Sequence, residues 1–121
     1  MSLHIELART VEEHFAGRLK SPARQLQDAL IVELDNGVTL TIRYAASDAY
    51  SLRWTWAEME MGIDTAPVHH GLATFPNHLH DTTGLPLPDP LTQPDQTPGD
   101  NTVRVIAALL EDPVLGLRPQ P

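Results

Sequence analysis

The sequence predicts an α+β domain, a four- to five-stranded antiparallel β-meander packed against an N-terminal and a C-terminal helix. Three observations carry that expectation. Apolar residues recur every four positions near the N-terminus, every two positions from about residue 30 to residue 63, and at helical spacing again beyond residue 102. A change in hydrophobic period marks a change of element. Strands with a single apolar face need a covering layer, and the two flanking amphipathic helices supply one.

Leu7, Val11, Phe15 and Leu19 share one helical face, with Glu12, Glu13, Arg18 and Lys20 on others, which gives a helix of about three to four turns. Ser21-Pro22 ends it, because the residue before a proline avoids the helical region. His4 and His14 belong to this helix and read as structural, at the surface or half-buried. Leu30, Val32 and Leu34 then alternate with Ile31 and Glu33, and Val38, Leu40, Ile42 and Tyr44 alternate with Thr39, Thr41 and Arg43. Asp35-Asn36-Gly37 between these runs is a hairpin signal. A second turn over Ala45 to Ala49 leads into Tyr50, Leu52, Trp54 and Trp56, and a fourth run follows in Met59, Met61 and Ile63. Tryptophans at period two on an apolar strand face read as core. Arg53, on the opposite face, reads as an ion-pair partner of Glu58 or Glu60 in preference to a phosphate ligand.

Residues 82–100 hold five of the eleven prolines. Such a stretch cannot be a helix or a central strand, and it reads as a long surface loop. Asp100, Asn101 and Thr102 offer N-caps to a second helix through Val103, Ile106, Ala107 and Leu110, which ends before Pro113. Residues 114–121 read as a loose tail. The expectation for the whole chain, 1–121, is one domain.

Composition narrows the functions available. The chain is 121 residues long with no cysteine, so disulfides, thiolate catalysis and zinc-thiolate sites are absent. Acidic residues outnumber basic ones 16 to 8, a formal net charge of -8, which opposes non-specific attraction to phosphate backbones. No apolar run approaches the length of a membrane span, and the N-terminus has no secretory pattern. A bacterial cytoplasm is the default location.

The chemistry concentrates in Ile63 to Asp81. That stretch holds four of the six histidines, His69, His70, His78 and His80, with Asp64 and Asp81 near its ends. In an extended segment His78 and His80 point to the same side. Two readings stay open on the residues alone. Imidazoles in opposite protonation states could exchange protons with a ribose hydroxyl and a leaving oxygen. Alternatively His78 and His80, joined by His69 or His70 and by Asp81 or Asp64, could hold zinc or another divalent ion. A polar loop whose histidines are satisfied by backbone and by Asp64 or Asp81 is the bland third case.

The run Asp64-Thr65-Ala66-Pro67, His69, then Thr74-Phe75-Pro76, His78 and His80 closely resembles the signature of the TumE-type toxins, small bacterial proteins found beside helix-turn-helix antitoxins. The resemblance covers about Ala29 to Asp81 well and the rest loosely. Thr65 stands where Asn is usual, Val68 where the first histidine of a pair is usual, and Asn77 and Leu79 where His and Lys are usual. Asp64, His69, His78 and His80 survive these departures.

The resemblance implies a toxin-like component of a bacterial toxin–antitoxin pair, with a helix-turn-helix antitoxin as partner. The expected activity is a metal-independent ribonuclease acting on an RNA substrate. In that scheme His78 and His80 share general acid and base duties, His69 positions a phosphate, and Asp64 orients an imidazole by accepting its N–H. The alternatives are a non-enzymatic protein-binding module of the same fold and a divalent-metal-binding protein. An exposed sheet edge would also accommodate a homodimer.

Overall fold

The computed structural model describes residues 3–117. Helix α1 spans Leu3–Phe15 and helix α2 Pro98–Glu111. Between them run β1 (Arg24–Gln25), β2 (Leu30–Glu33), β3 (Thr39–Ala46), β4 (Ala49–Trp56), β5 (Met59–Asp64), β6 (His78–His80) and β7 (Pro86–Pro88). The sheet is a seven-stranded meander in which each strand pairs antiparallel with its neighbour in sequence.

The class is as expected, but the strand count is not. The central four strands and the short fifth at the histidines are present, and two more close the edges. Strand β1 is a two-residue pairing, Arg24 with Ile31 and Gln25 with Leu30, too brief to leave a periodic signal. Strand β7 lies inside the proline-rich stretch. Its Pro86 and Pro88 are tolerated because β7 is an edge strand and owes hydrogen bonds to β6 alone.

Helix α1 stops at Phe15 and tightens into a 3-10 turn over Ala16–Arg18. Leu19, grouped with the helix by spacing, is already extended and bridges to Leu34. Helix α2 begins earlier than its Asp100–Thr102 cluster indicates. Thr97 is the N-cap, its hydroxyl accepting from the Asp100 backbone N–H, and Pro98 fills the first turn where no N–H is needed.

One face of the sheet is apolar. Leu30, Leu40, Ile42, Leu52, Trp54, Ile63 and Leu79 are fully buried there, with Leu7 and Val11 of α1 and Val105, Ile106 and Leu109 of α2 packed in the same core. Each such side chain contributes roughly 1.5–3 kcal/mol by leaving water. The tryptophans belong to this layer, Trp54 buried and Trp56 partly so; their indole N–H groups donate to the Pro113 and Asn36 carbonyls. His4 is a buried structural residue whose Nε2 accepts from the Tyr44 N–H at 3.2 Å. The C-terminal stretch is less loose than expected as far as it is described: Val114 is buried and Leu115 and Leu117 pack on the core. Residues 118–121 lie outside the described residues. No described helix is long and apolar enough to cross a membrane.

The other face of the sheet is polar, bearing Thr39, Thr41 and Arg43 of β3, Ser51, Arg53 and Thr55 of β4, and Glu60 and Asp64 of β5. No helix covers it. Arg53 pairs with Glu60 at 3.0 Å here, as the sequence led us to expect.

Candidate active site at the β5–β6 edge

The strand register builds the site. Asp64 on β5 stands directly opposite His78 on β6, and His80 lies two residues further along β6. Alternation sends Leu79 into the core and both imidazoles to the polar face. There the Asp64 carboxylate meets both rings, Oδ1 2.9 Å from His78 Nε2 and Oδ2 3.4 Å from His80 Nε2. Asp64 is itself fixed, since Oδ1 also accepts from the Ala66 N–H as the chain turns out of β5.

Residues 65–77 form the connection that folds over this corner. It brings the His69 ring edge-on to His78, with centroids 4.6 Å apart, and 6.0 Å from His80. His78 and His80 are themselves 4.6 Å apart and nearly perpendicular. One ring nitrogen from each of the three histidines lies within 4.8 Å of the others.

The remaining nitrogens face backbone. His78 Nδ1 is 3.2 Å from the Pro76 carbonyl oxygen, and His80 Nδ1 is 3.4 Å from that of Gly84. Each ring therefore has an acceptor on both sides. A neutral imidazole has a single N–H and can serve only one of them; when Nδ1–H donates to the carbonyl, the Nε2 lone pair is aimed at a carboxylate. In the other tautomer Nε2–H donates to Asp64 and the Nδ1 lone pair faces the carbonyl.

Exposure divides the histidines. His78 is 1% exposed and has both nitrogens engaged, so a substrate cannot reach it. His80 is 26% exposed, and His69 is partly open on its loop. A cleft of about 370 Å³ lies beside His80, lined by Arg53, Glu60, Thr83 and Gly84 among others. Gly62 stands between Arg53 and His80 in the cross-strand row. A Cβ there would come within 3.2 Å of Arg53 Cγ.

Two residues named beside the histidines go elsewhere. Asp81, the carboxylate expected to complete a metal shell, is occupied by its own turn. Its Oδ1 accepts from the Thr83 hydroxyl and from the N–H groups of Thr83 and Leu85, and these bonds hold its carboxyl below the usual range. Of the two carboxylates the sequence offered, Asp64 is the one beside the imidazoles. His70 turns outward and stacks on Phe75, centroids 4.5 Å apart.

Behind β6, facing away from the histidines, is a buried polar network that spacing did not reveal. The Asp89 carboxylate accepts from the Leu91 and Thr92 N–H groups, the Thr92 hydroxyl and the Asn77 amide. The Tyr50 hydroxyl donates to Thr92 and accepts from Asn77. Asn77 immediately precedes His78, so this network clamps the proline-rich stretch onto β6. The one sequence signal was the tetrad Asp89-Pro90-Leu91-Thr92, a carboxylate poised to bond backbone N–H groups two and three residues on.

The profile of a family described as Toxin TumE matches residues 5–112. The chain belongs to the TumE toxin family, which makes it the toxin component of a toxin–antitoxin system with a cognate antitoxin as its implied partner. Neither the curated proteins nor the solved structures include a significant match to it.

Proposed function

We propose that this toxin cleaves RNA by proton transfer between imidazoles, without a resident metal ion. The observation that supports this most directly is the Asp64 carboxylate shared between His78 and His80, with His69 held edge-on beside them. His69, which forms no ion pair among the described residues, takes the proton from a ribose 2'-hydroxyl. The freed oxygen attacks the adjacent phosphorus, and the bond to the 5' oxygen breaks. His80, backed by Asp64, gives the leaving oxygen its proton, and the product is a 2',3'-cyclic phosphate. General acid–base help of this kind is worth roughly 10²–10⁴ in rate for each group.

This scheme moves the expected roles by one residue. The buried His78 serves better as the post that holds Asp64 than as a proton carrier, and His69 takes up the base role in place of phosphate positioning. Arg53, whose pair with Glu60 is about half exposed and easily exchanged, lines the cleft beside His80 and is a cation available to an incoming phosphate. The rim is apolar. Val68, Phe75 and Leu85, exposed and close in sequence to His69, His78 and Gly84, offer a surface for a nucleobase or for the antitoxin. We expect that antitoxin to be a helix-turn-helix protein that silences the site by covering it.

The test is RNA cleavage and growth inhibition by His80→Gln and His69→Gln, each compared with wild type at equal folded concentration. Both substitutions should abolish cleavage and toxicity. Undiminished toxicity in either removes that residue from the mechanism.

A further inference from the structure

We propose that the same corner is a closed binding site for a divalent transition metal of the zinc class, with His69, His78, His80 and Asp64 as the four ligands, and that occupancy switches the acid–base pair off. The inhibitory part rests on the RNA-cleavage reading; the site itself does not.

The donor set is three imidazole nitrogens and one carboxylate oxygen, which suits zinc, cobalt or nickel and not magnesium or calcium. The second shell has the pattern that metal-bound histidine needs. In His78 and His80 alike, Nδ1 faces a backbone carbonyl, of Pro76 and of Gly84, and Nε2 faces the Asp64 carboxylate. Donation from Nδ1–H fixes the tautomer and aims the Nε2 lone pair at the position an ion would take.

The spacing is close to a bound shell. Ligand bonds of about 2.0–2.1 Å in a tetrahedron place donor atoms roughly 3.3 Å apart. The three histidine nitrogens lie within 4.8 Å of one another, and Asp64 adjoins two of them through different oxygens, Oδ1 2.9 Å from His78 Nε2 and Oδ2 3.4 Å from His80 Nε2, so its carboxylate turns to offer one oxygen to the ion. His69 is carried by the segment that connects β5 to β6 rather than by a strand, which leaves it room to adjust to an ion.

The ligand count decides the consequence. Catalytic zinc keeps an open position for water or substrate, whereas four protein ligands fill a tetrahedral shell. An ion held by all four residues offers no open site, and it removes the lone pairs that His69 and His80 need for proton transfer. Metal binding and acid–base cleavage therefore exclude one another here.

The experiment uses untagged full-length protein stripped with chelator, titrated with Co²⁺ and followed by visible absorption and calorimetry in the absence of RNA. One equivalent should bind with the intense absorption of tetrahedral cobalt. His69→Gln should weaken binding by more than the roughly 10–100-fold that losing an outer-shell partner costs. His14→Gln, remote and exposed, should bind as wild type does. One equivalent of Zn²⁺ should then bring RNA cleavage to background, reversibly with chelator. Absence of stoichiometric binding, or equal binding by His69→Gln, overturns the site. Binding with cleavage stimulated by zinc overturns the inhibitory role. Tight binding by a protein that cleaves no RNA in chelator upholds the site and overturns the RNA-cleavage reading instead.

Discussion

Asp64 and His78 face each other across β5 and β6, carboxylate to imidazole at 2.9 Å, and that pair ties the sheet to the candidate chemistry. The contact is a consequence of register. A slip of one residue between these strands would turn His78 and His80 into the core and Leu79 out to solvent. Burial of Leu79 among Ile63 and its neighbours therefore holds the histidines in place.

Asp64→Asn keeps the shape of that contact and removes the charge. It should lower RNA cleavage at least about tenfold, on the scale of losing a group that orients a catalytic base. The thermal midpoint should stay within a few degrees of wild type. Cleavage assays beside a circular dichroism melt check both halves.

His78 should behave differently from its neighbours. It is fully buried with both ring nitrogens bonded, so His78→Ala leaves a cavity and unpaired acceptors, at a cost of roughly 2–4 kcal/mol. His69→Gln and His80→Gln, at more open positions, should cost less than about 1 kcal/mol. Urea unfolding of the three variants separates the structural histidine from the exposed pair.

The Asp89 network should be as important to stability as a core leucine. Asp89→Ala strands the Leu91 and Thr92 N–H groups and the Thr92 hydroxyl, a loss of about 3 kcal/mol or more at roughly 1–3 kcal/mol per stranded group. Hydrogen exchange should localise the loosening to residues 77–92, with α1 and β2 to β4 protected as before.

Alkaline pH should weaken the fold through Tyr44. Burial, reinforced by Tyr50, pushes its phenol far above the ordinary tyrosine range, and the hydroxyl faces Thr102 and Asn101 without a well-formed hydrogen bond. Above about pH 10 the unfolded chain has released this proton while the folded chain keeps it. Stability contributed by the group is thus complete below pH 10 and falls as pH rises, by about 1.4 kcal/mol per pH unit. Tyr44→Phe should flatten that decline in urea midpoints measured between pH 9 and 11.

The central fold was legible because its signals are local. Alternation placed β2 to β5, Asn36-Gly37 placed the first hairpin, and the same-side rule put His78 and His80 together. What stayed hidden depends on contacts distant in sequence. The edge strands β1 and β7 are too short for a period, and β7 exists only because β6 lies beside it. Asp64 and Asp81 both offered a carboxylate in the sequence, and it is the pairing of β5 with β6 that puts Asp64 beside the rings while Asp81 bonds its own turn. Asn77 looked like a lost histidine; the fold gives it Tyr50, Asp89 and Thr92 as partners.

The most direct test of the account is RNA cleavage in excess chelator by purified wild-type protein and by Asp64→Asn, matched for folded fraction. The account predicts cleavage by wild type, with 2',3'-cyclic phosphate ends, and at least about tenfold less by the variant. Wild-type protein inert in chelator, or cleavage undiminished in Asp64→Asn, would contradict it.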